Sequence, residues 1–385
     1  MSEAHAFLAP SGAHIWAPEN GCRAAPAMQR QYPGADDTPE AREGTAAHWF
    51  VTEMLQGRFV ALGAIAPNGH PINQEMIDAG EGILTDVRDT MRCNPDAVLY
   101  VEQRFSMANH VHADNWGTPD IVLIDLVARR VWIWDYKYGH RYVDAVGNWQ
   151  LLDYTVGVFE AIGLRAAVPN HDPVSWFGWR IMLSIAQPRN YHSVGPIREW
   201  QLSGESLRDD WLPRLRQSAA EATAPGAQMR TGEHCRDCSA RHACGALQKA
   251  GAIAMDVSQY AQPVDLPAHA VGLELRQIDD AIKRLEARRT GLEEQALGII
   301  RSGHHVPFFR AEHTVGREAW NVPPAQVVAL GNLFGVSLAK EATLTPAQAR
   351  KAGMPDAALD GLTEQPRGAV RLKRADDDAA KLAFQ

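Results

Sequence analysis

The stretch Trp116-Gly-Thr-Pro-Asp-Ile-Val-Leu-Ile-Asp-Leu-Val-Ala-Arg-Arg-Val-Trp-Ile-Trp-Asp-Tyr-Lys137 decides how this chain folds. Residues 121–124 and 131–134 are β-branched and aromatic runs of strand length, and 125–130 is short enough to join them as a hairpin. Strand side chains alternate faces, so Asp135 and Lys137 share a face with Val131 and Ile133. A carboxylate and an amine at the end of an apolar strand face are costly to bury unless they are paired or bind something. The hairpin also returns the chain so that Asp120, at the start of its first strand, lies beside Asp135 at the end of the second. Two carboxylates and a lysine at one sheet edge make a metal site with a positioned amine.

Working outward, Gln150-Leu-Leu-Asp-Tyr154 falls in a helix predicted over 149–162 with Asn148 as its cap. Gln150 and Tyr154 are one turn apart and reach the same place, although Tyr154 also suits the core beneath a helix packed on the sheet. Upstream, Thr38-Pro-Glu-Ala-Arg-Glu opens a helix over 38–55 with a Thr cap and Pro at its first position. It carries Gly44-Thr-Ala-Ala-His48, with His48 read as a metal or phosphate contact, and Glu53, read as structural. A second helix is predicted over 73–92, followed by Cys93 as a buried free thiol. A strand is predicted over 97–105, and Glu102 within it is either an acid of the site or half of a strand-edge ion pair.

Downstream, 176–186 reads as a strand ending in Gln187-Pro-Arg189, where Arg189 suits phosphate contact or plain solvation. Residues 206–221 are amphipathic, with Leu207, Trp211 and Leu215 on one stripe. Cys235-Arg-Asp-Cys238-Ser-Ala-Arg-His-Ala-Cys244 then places three soft ligands in one short loop, which calls for a metal, and its fourth ligand is not local. A long charged amphipathic helix occupies 266–301. Residues 303–385 form a candidate small domain with a helix between Thr345-Pro346 and Gly353 and a basic run over 367–374.

Asp120 with Asp135-Tyr-Lys137 resembles the PD-(D/E)xK nuclease signature. Gln150-x3-Tyr154 is similar to the additional motif of its RecB-like exonuclease branch, and His48 fits the branch's histidine on an early helix. In iron–sulfur members, among them the CRISPR-adaptation and AddB-type nucleases, one cysteine precedes these motifs and three follow. Cys22, Cys235, Cys238 and Cys244 match that order. The resemblance implies an α/β, restriction-endonuclease-like core over 1–250, a mixed central sheet flanked by helices and stapled by a 4Fe–4S cluster. The long helix and a small, mainly helical C-terminal domain would follow. Structural zinc, with His234 or His242 replacing Cys22, is the alternative.

The same resemblance implies Mg²⁺ or Mn²⁺ held by His48, Asp120, Asp135 and the backbone carbonyl of Tyr136. Lys137 would act on the attacking water or the transition-state charge, and Gln150 and Tyr154 would position the strand and the lysine. His110 and His112, in the loop before Trp116, are candidates for contact with DNA. The whole plan resembles phage- and prophage-encoded exonucleases that degrade DNA ends for recombination with a single-strand annealing or binding protein. Two other readings stand beside it: a spacer-trimming nuclease of the CRISPR-adaptation type, and a non-catalytic, cluster-bearing subunit that binds DNA ends.

At 385 residues the chain can bury a sizeable core, and its 45% hydrophobic and 22% charged residues are ordinary for a globular protein. The net charge of −8 means that any DNA contact must come from a local basic channel. The absence of a signal peptide and of a membrane-spanning run, with five cysteines, predicts a reducing, cytoplasmic setting with no membrane partner; a homo-oligomer is compatible with the long helix. No Gly-Lys dipeptide occurs, so there is no Walker A loop and no motor.

Overall fold

The computed structural model describes residues 6–34, 38–166, 176–190, 195–257, 268–315, 319–320, 322–338, 345–351, 353–364 and 367–374. The chain divides into two compact units, Met1–Gly291 and Leu292–Gln385.

The first unit begins with short helices α1 (Ala13–Trp16) and α2 (Ala25–Gln31), then the longer α3 (Pro39–Leu55) and α4 (Gln74–Cys93). Thr38 caps α3 by accepting from the Ala41 amide, and Asn73 caps α4 by accepting from Met76. Strands β1 (Val98–Val101), β2 (Phe105–Ser106), β3 (Trp116–Gly117), β4 (Ile121–Asp125) and β5 (Arg130–Tyr136) follow, then α5 (Trp149–Ala166), β6 (Arg180–Ala186) and β7 (Ile197–Ser203). The unit is completed by α6 (Gly204–Ser206), α7 (Leu212–Thr223), α8 (Gly245–Val257) and the greater part of α9 (Ala268–Arg301).

The central sheet has the order β1-β4-β5-β6-β7 and is mixed, antiparallel except where β5 and β6 run parallel. Strand β5 sits in its middle and is apolar on both faces, as a doubly covered strand must be. Val131 and Ile133 join Val122, Ile181, Leu183 and Ile185 against α5 and α7. Trp132, Trp134 and Tyr136 join Ile121 and Leu123 against α3 and α4. The Trp134 indole N–H donates to Asp86 on α4 at 2.7 Å, so the buried ring meets its polar requirement. Helices α3 and α4 approach closely at Gly80, where an added Cβ would lie 2.7 Å from the Phe50 ring.

Four sequence expectations need correction. The 97–105 strand is broken at Glu102, whose left-handed backbone (φ 51°) turns the chain out of β1 before β2 begins. The strand expected from 176 starts at Arg180, because Gly178 (φ 76°) makes a turn ahead of it. The amphipathic stretch 206–221 is α6, a π turn over Leu207–Trp211, and α7; Pro213 has no N–H to continue the regular ladder. Its stripe is still core, with Leu207 and Leu215 fully buried. Cys93 is exposed, at the end of α4 rather than beneath it.

The second unit has strands beside its helices. It pairs β8 (Phe309–Val315) with β11 (Arg367–Arg374) and β9 (Ala319–Trp320) with β10 (Thr363–Glu364), both antiparallel. Between them lie α10 (Pro324–Leu333), α11 (Pro346–Lys351) and α12 (Asp356–Leu359) around Val327, Leu338, Ala349, Met354 and Leu359. The partner strands are some fifty residues apart along the chain, so no local hairpin pattern announces them. Among the described residues no helix is long and apolar enough to cross a membrane.

Two glycines on α5 separate packing from propensity. A Cβ on Gly157 would lie 2.6 Å from Met107 Sδ and 3.1 Å from Phe105 Cβ, whereas Gly163 has open space. Gly157→Ala is expected to lower stability by about 1–3 kcal/mol, and Gly163→Ala to raise it by about 0.4–1 kcal/mol. Denaturant midpoints check both, and equal shifts would contradict the packing of α5 on β2.

Candidate active site

The β4–β5 hairpin pairs Ile121 with Trp134, which sets Asp120 opposite Asp135 at the same end of the sheet. The Tyr136 amide donates to Asp120 Oδ2 at 2.7 Å, pinning that carboxylate to the strand. Asp135 is 2% exposed. Lys137 Nζ lies 2.8 Å from its Oδ2 and donates to its Oδ1 at 3.1 Å, while Oδ2 receives no aligned hydrogen bond. Gln150 closes the set: its Nε2 donates to Asp135 Oδ1 at 2.8 Å and its Oε1 accepts from Lys137 at 3.3 Å.

Helix α5 can deliver Gln150 because Asn148 caps it, accepting from the Gln150 and Leu151 amides. Tyr154, one turn on, is buried in the core beneath Gln150, so it is at once packing and support. Its ring explains the glycine two residues after Asn115: a Cβ on Gly117 would lie 2.8 Å from Tyr154 Cε1 and from Pro10. From the other face, α3 brings His48, whose Nδ1 lies 3.6 Å from Asp120 Oδ2.

Glu102 completes the arrangement. The left-handed turn that ends β1 swings it beside the site, and His48, Glu102 and Asp120 each offer a ligand atom within 4.8 Å of the others. Asp135 stands outside that trio, held by Lys137 and Gln150. Sequence spacing alone left Glu102 open, because its placement depends on a single backbone turn rather than on strand alternation. An open cavity of about 490 Å³, lined by Gly44, Thr45, His48, Lys137 and Arg141 among others, fronts the cluster. The loop bounding it is held by Gln187, fully buried, which donates to Gly139 O at 2.7 Å and accepts from Val143 N and Arg198.

Electrostatics separates the groups. Burial and the Asp120 charge, opposed by Lys137, hold Asp135 above the usual carboxylate range. Asp120 is pushed up by burial, but His48, Lys137 and the Tyr136 amide bring it below its ordinary value. Burial lowers Lys137, yet the two aspartates more than offset this, so it remains an ammonium. Glu102 is pushed up to about 7, by desolvation of its carboxyl first and by the Asp120 charge second. Neighbouring acids with separated affinities for protons are a feature of catalytic clusters.

Other candidates lie elsewhere. Glu53 pairs with Arg58 and is structural. His110 stands edge-on to Trp176, and His112 accepts from the Asp114 amide; neither meets the cluster. Arg189 is paired with Glu43 at 3.0 Å and Glu75 at 2.9 Å and lies over Tyr138, so its charge is already matched.

The cysteines form a second constellation. Cys22 follows a tight turn in which a Cβ on Gly21 would meet Ile15 O at 2.8 Å, and it packs with Ile15, Ala24 and Ala25. The segment is fastened to α7 by Arg23–Glu221 (2.7 Å) and by the Ser218 hydroxyl on Ala17 O. Cys235 lies in a 3₁₀ turn over Glu233–Asp237, Cys238 between it and a second over Ser239–His242, and Cys244 just before α8. The Gly232 amide donates to Cys235 Sγ (3.3 Å), and Leu247 to Cys244 Sγ (3.5 Å). Burial, then the charges of Cys22, Cys235 and Cys244, push Cys238 up to about 11. Cys235 and Cys238 are thus held against ionisation by neighbouring thiols, a conflict that a shared cation would remove. His234 and His242 are turned to backbone carbonyls, of Arg230 and Ser239. Helix α9 covers the loop: Ala287 packs with Cys235 and Leu247, and Lys283 pairs with Glu233. Between Cys235 and Cys238, Asp237 holds Arg141 at the cavity rim (2.7 Å) and His14 (3.3 Å).

The His48–Asp120 pair yields a titration test. Burial lowers the histidine, but the Asp120 carboxylate outweighs it and raises His48 above 6.5. The histidine part of the pair's stability is therefore present below its unfolded pKa and fades as pH rises through the folded one. The aspartate part fades as pH falls through its lowered pKa. In the metal-free protein, the His48 ring protons followed by NMR should titrate above 6.5 and shift downward in Asp120→Asn. An unchanged midpoint in that variant would break the pair.

No curated protein matches the chain. Among solved structures it is similar to a candidate exonuclease from Eubacterium rectale, at 10% identity and a TM-score of 0.31, over 69% of this chain and 92% of that one. Residues 5–379 match the family described as protein of unknown function, DUF2800, and the chain belongs to that family.

Proposed function

We propose that this chain is a divalent-metal-dependent deoxyribonuclease that hydrolyses phosphodiester bonds at DNA ends. The observation that carries the reading is the hydrogen-bonded set Asp120, Asp135, Lys137 and Gln150, gathered at one end of the sheet beside His48 and Glu102. The donors are carboxylate oxygens and an imidazole, which fit Mg²⁺ or Mn²⁺, and Asp135 Oδ2 is left with no aligned donor of its own. His48, Glu102 and Asp120 would hold the ion, with Asp135 and the Tyr136 carbonyl completing its surroundings. When bound, such an ion lowers the pKa of a water nucleophile and offsets charge on the phosphate oxygens.

The chain's own groups do the rest. Lys137 keeps its proton and acts as a donor, to the attacking water or to a phosphate oxygen as negative charge develops there. Gln150 bridges Lys137 and Asp135 and stops either from swinging away. Tyr154 backs Gln150 from the core. The motif resemblance supports a recombination role with DNA as substrate and a single-strand annealing or binding protein as partner. Cys22, Cys235, Cys238 and Cys244 would hold a 4Fe–4S cluster that closes a loop of more than two hundred residues, restricting the unfolded chain.

With Mg²⁺ or Mn²⁺, end-labelled linear DNA should be degraded while covalently closed circles survive, and EDTA should stop the reaction. Asp120→Ala, Asp135→Ala and Lys137→Ala are each expected to lower the rate by at least about 10²-fold with the fold retained by circular dichroism. Wild-type turnover by Lys137→Ala would overturn the assignment. For the cysteines, anaerobically purified protein should contain iron and absorb broadly in the visible. Cys238→Ser should lose the band and melt at lower temperature. A colourless, zinc-loaded wild type would replace the cluster with zinc.

A further inference from the structure

Asp153 lies on α5 between Gln150 and Tyr154 and is fully buried, as is Asn115, the residue just before β3. Asn115 Nδ2 donates to Asp153 Oδ2 at 2.9 Å and also to Leu8 O, so both of its protons are used. Asp153 Oδ1 and Asn115 Oδ1, the other oxygens of the pair, are both buried with no hydrogen-bond partner. Two orphaned oxygens on one acid–amide pair are a costly arrangement for an ionised carboxylate, and one proton would satisfy both.

Among the described residues no cation pairs with Asp153. His14 of α1 faces Asp237; Asp135 of β5 is held by Lys137 and Gln150; Asp209 and Asp210 of the π turn are taken by Arg208 and Ser206. In the loop beside Asn115 the Asp114 amide donates to His112 Nδ1, and Glu160, further along α5, accepts from Asn109 and the His110 amide. What acts on Asp153 is burial, opposed by the Asn115 amide. Tyr154, its titratable neighbour on the same helix, is itself a neutral phenol raised by burial.

We propose that Asp153 is a neutral carboxylic acid in the working protein, its proton on Oδ1 donated to Oδ1 of Asn115, so that acid and amide close a ring of two hydrogen bonds. The ring joins three pieces of chain. Leu8 of the N-terminal segment hangs on Asn115 Nδ2; Asn115 leads through β3 to Asp120; Asp153 belongs to the helix that presents Gln150 and Tyr154. Asp153 is thus a positioning residue, which seats α5 against the strand carrying the site's first acid. Loss of the proton sets acceptor against acceptor and loosens that seat. Asp153→Asn reproduces the neutral pair, with an amide N–H in place of the acid's O–H.

Two measurements test this, and neither uses DNA or metal, so their failure is separable from failure of the nuclease reading. The infrared difference spectrum of wild type minus Asp153→Asn at pH 6 should contain a protonated-carboxyl C=O band; carboxylate bands alone overturn the proposal. The second is unfolding followed against pH. Burial places the folded pKa at about 7, and a hydrogen bond given by the neutral form moves it higher still. A folded pKa raised above the unfolded one contributes stability below about pH 4 that is lost as pH rises toward the folded value. Relative to Asp153→Asn, wild type should therefore weaken by about tenfold in its folding constant per pH unit above about pH 4, levelling only past the folded pKa. Parallel curves overturn the proposal. Asp153→Leu, which fills the site without either hydrogen bond, should be less stable than Asp153→Asn at every pH; equal stability would show that the ring does not form.

Discussion

Asp135 is a carboxylate almost wholly removed from water at the end of a strand whose other residues on that face are Val131 and Ile133. Burying such a group is unfavourable by several kcal/mol unless a cation and hydrogen-bond donors meet it. Lys137 arrives from the same strand, two residues on, and Gln150 from α5. Asp120 arrives from the neighbouring strand, and its own charge is balanced by the Tyr136 amide and His48. The partners come from the hairpin, α3 and α5, so the match exists only when all three are docked. Helices on both faces of the sheet are the structural consequence of keeping that corner dry.

Support for this corner extends outward in layers. Tyr154 and Gly117 meet behind Gln150; the Asp153–Asn115 pair meets behind Tyr154; Leu8 hangs on Asn115. On the opposite flank, Gln187 and Arg198 clamp the loop that follows Lys137. Arg141 in that loop reaches Asp237, placed between two cysteines. One ion pair thus joins the cysteine loop to the cavity rim. Helix α9 lies over the loop from Lys283 to Gly291 and covers it.

The site was legible in the sequence wherever a short-range rule applied. Alternation along β5 placed Asp135 and Lys137 together, the hairpin brought Asp120 back, and helical spacing linked Gln150 to Tyr154. Glu102 and Asp153 were not legible to the same degree. The first is aimed by a single left-handed residue that strand propensity cannot anticipate. The second is an ordinary acid in an amphipathic helix until its neighbours are known to be apolar. Arg189 shows the converse: a cation at a strand end suggests phosphate, but Glu43 and Glu75 come from α3 and α4 to neutralise it. The second unit's ladders escaped notice because β8 and β11 pair across some fifty intervening residues.

By itself, then, the sequence determined the elements whose causes are local: capped helices, the hairpin, and the residue types that can grip a hard cation or bind a soft metal through thiolates. Side-chain period and capping chemistry act over a few residues and are written in the chain directly. The tertiary structure alone decided which charges meet, which acid is buried without a cation, and which backbone turn brings Glu102 beside His48 and Asp120. Those outcomes depend on desolvation and on distances between segments far apart in the chain, and neither quantity exists until the elements are packed.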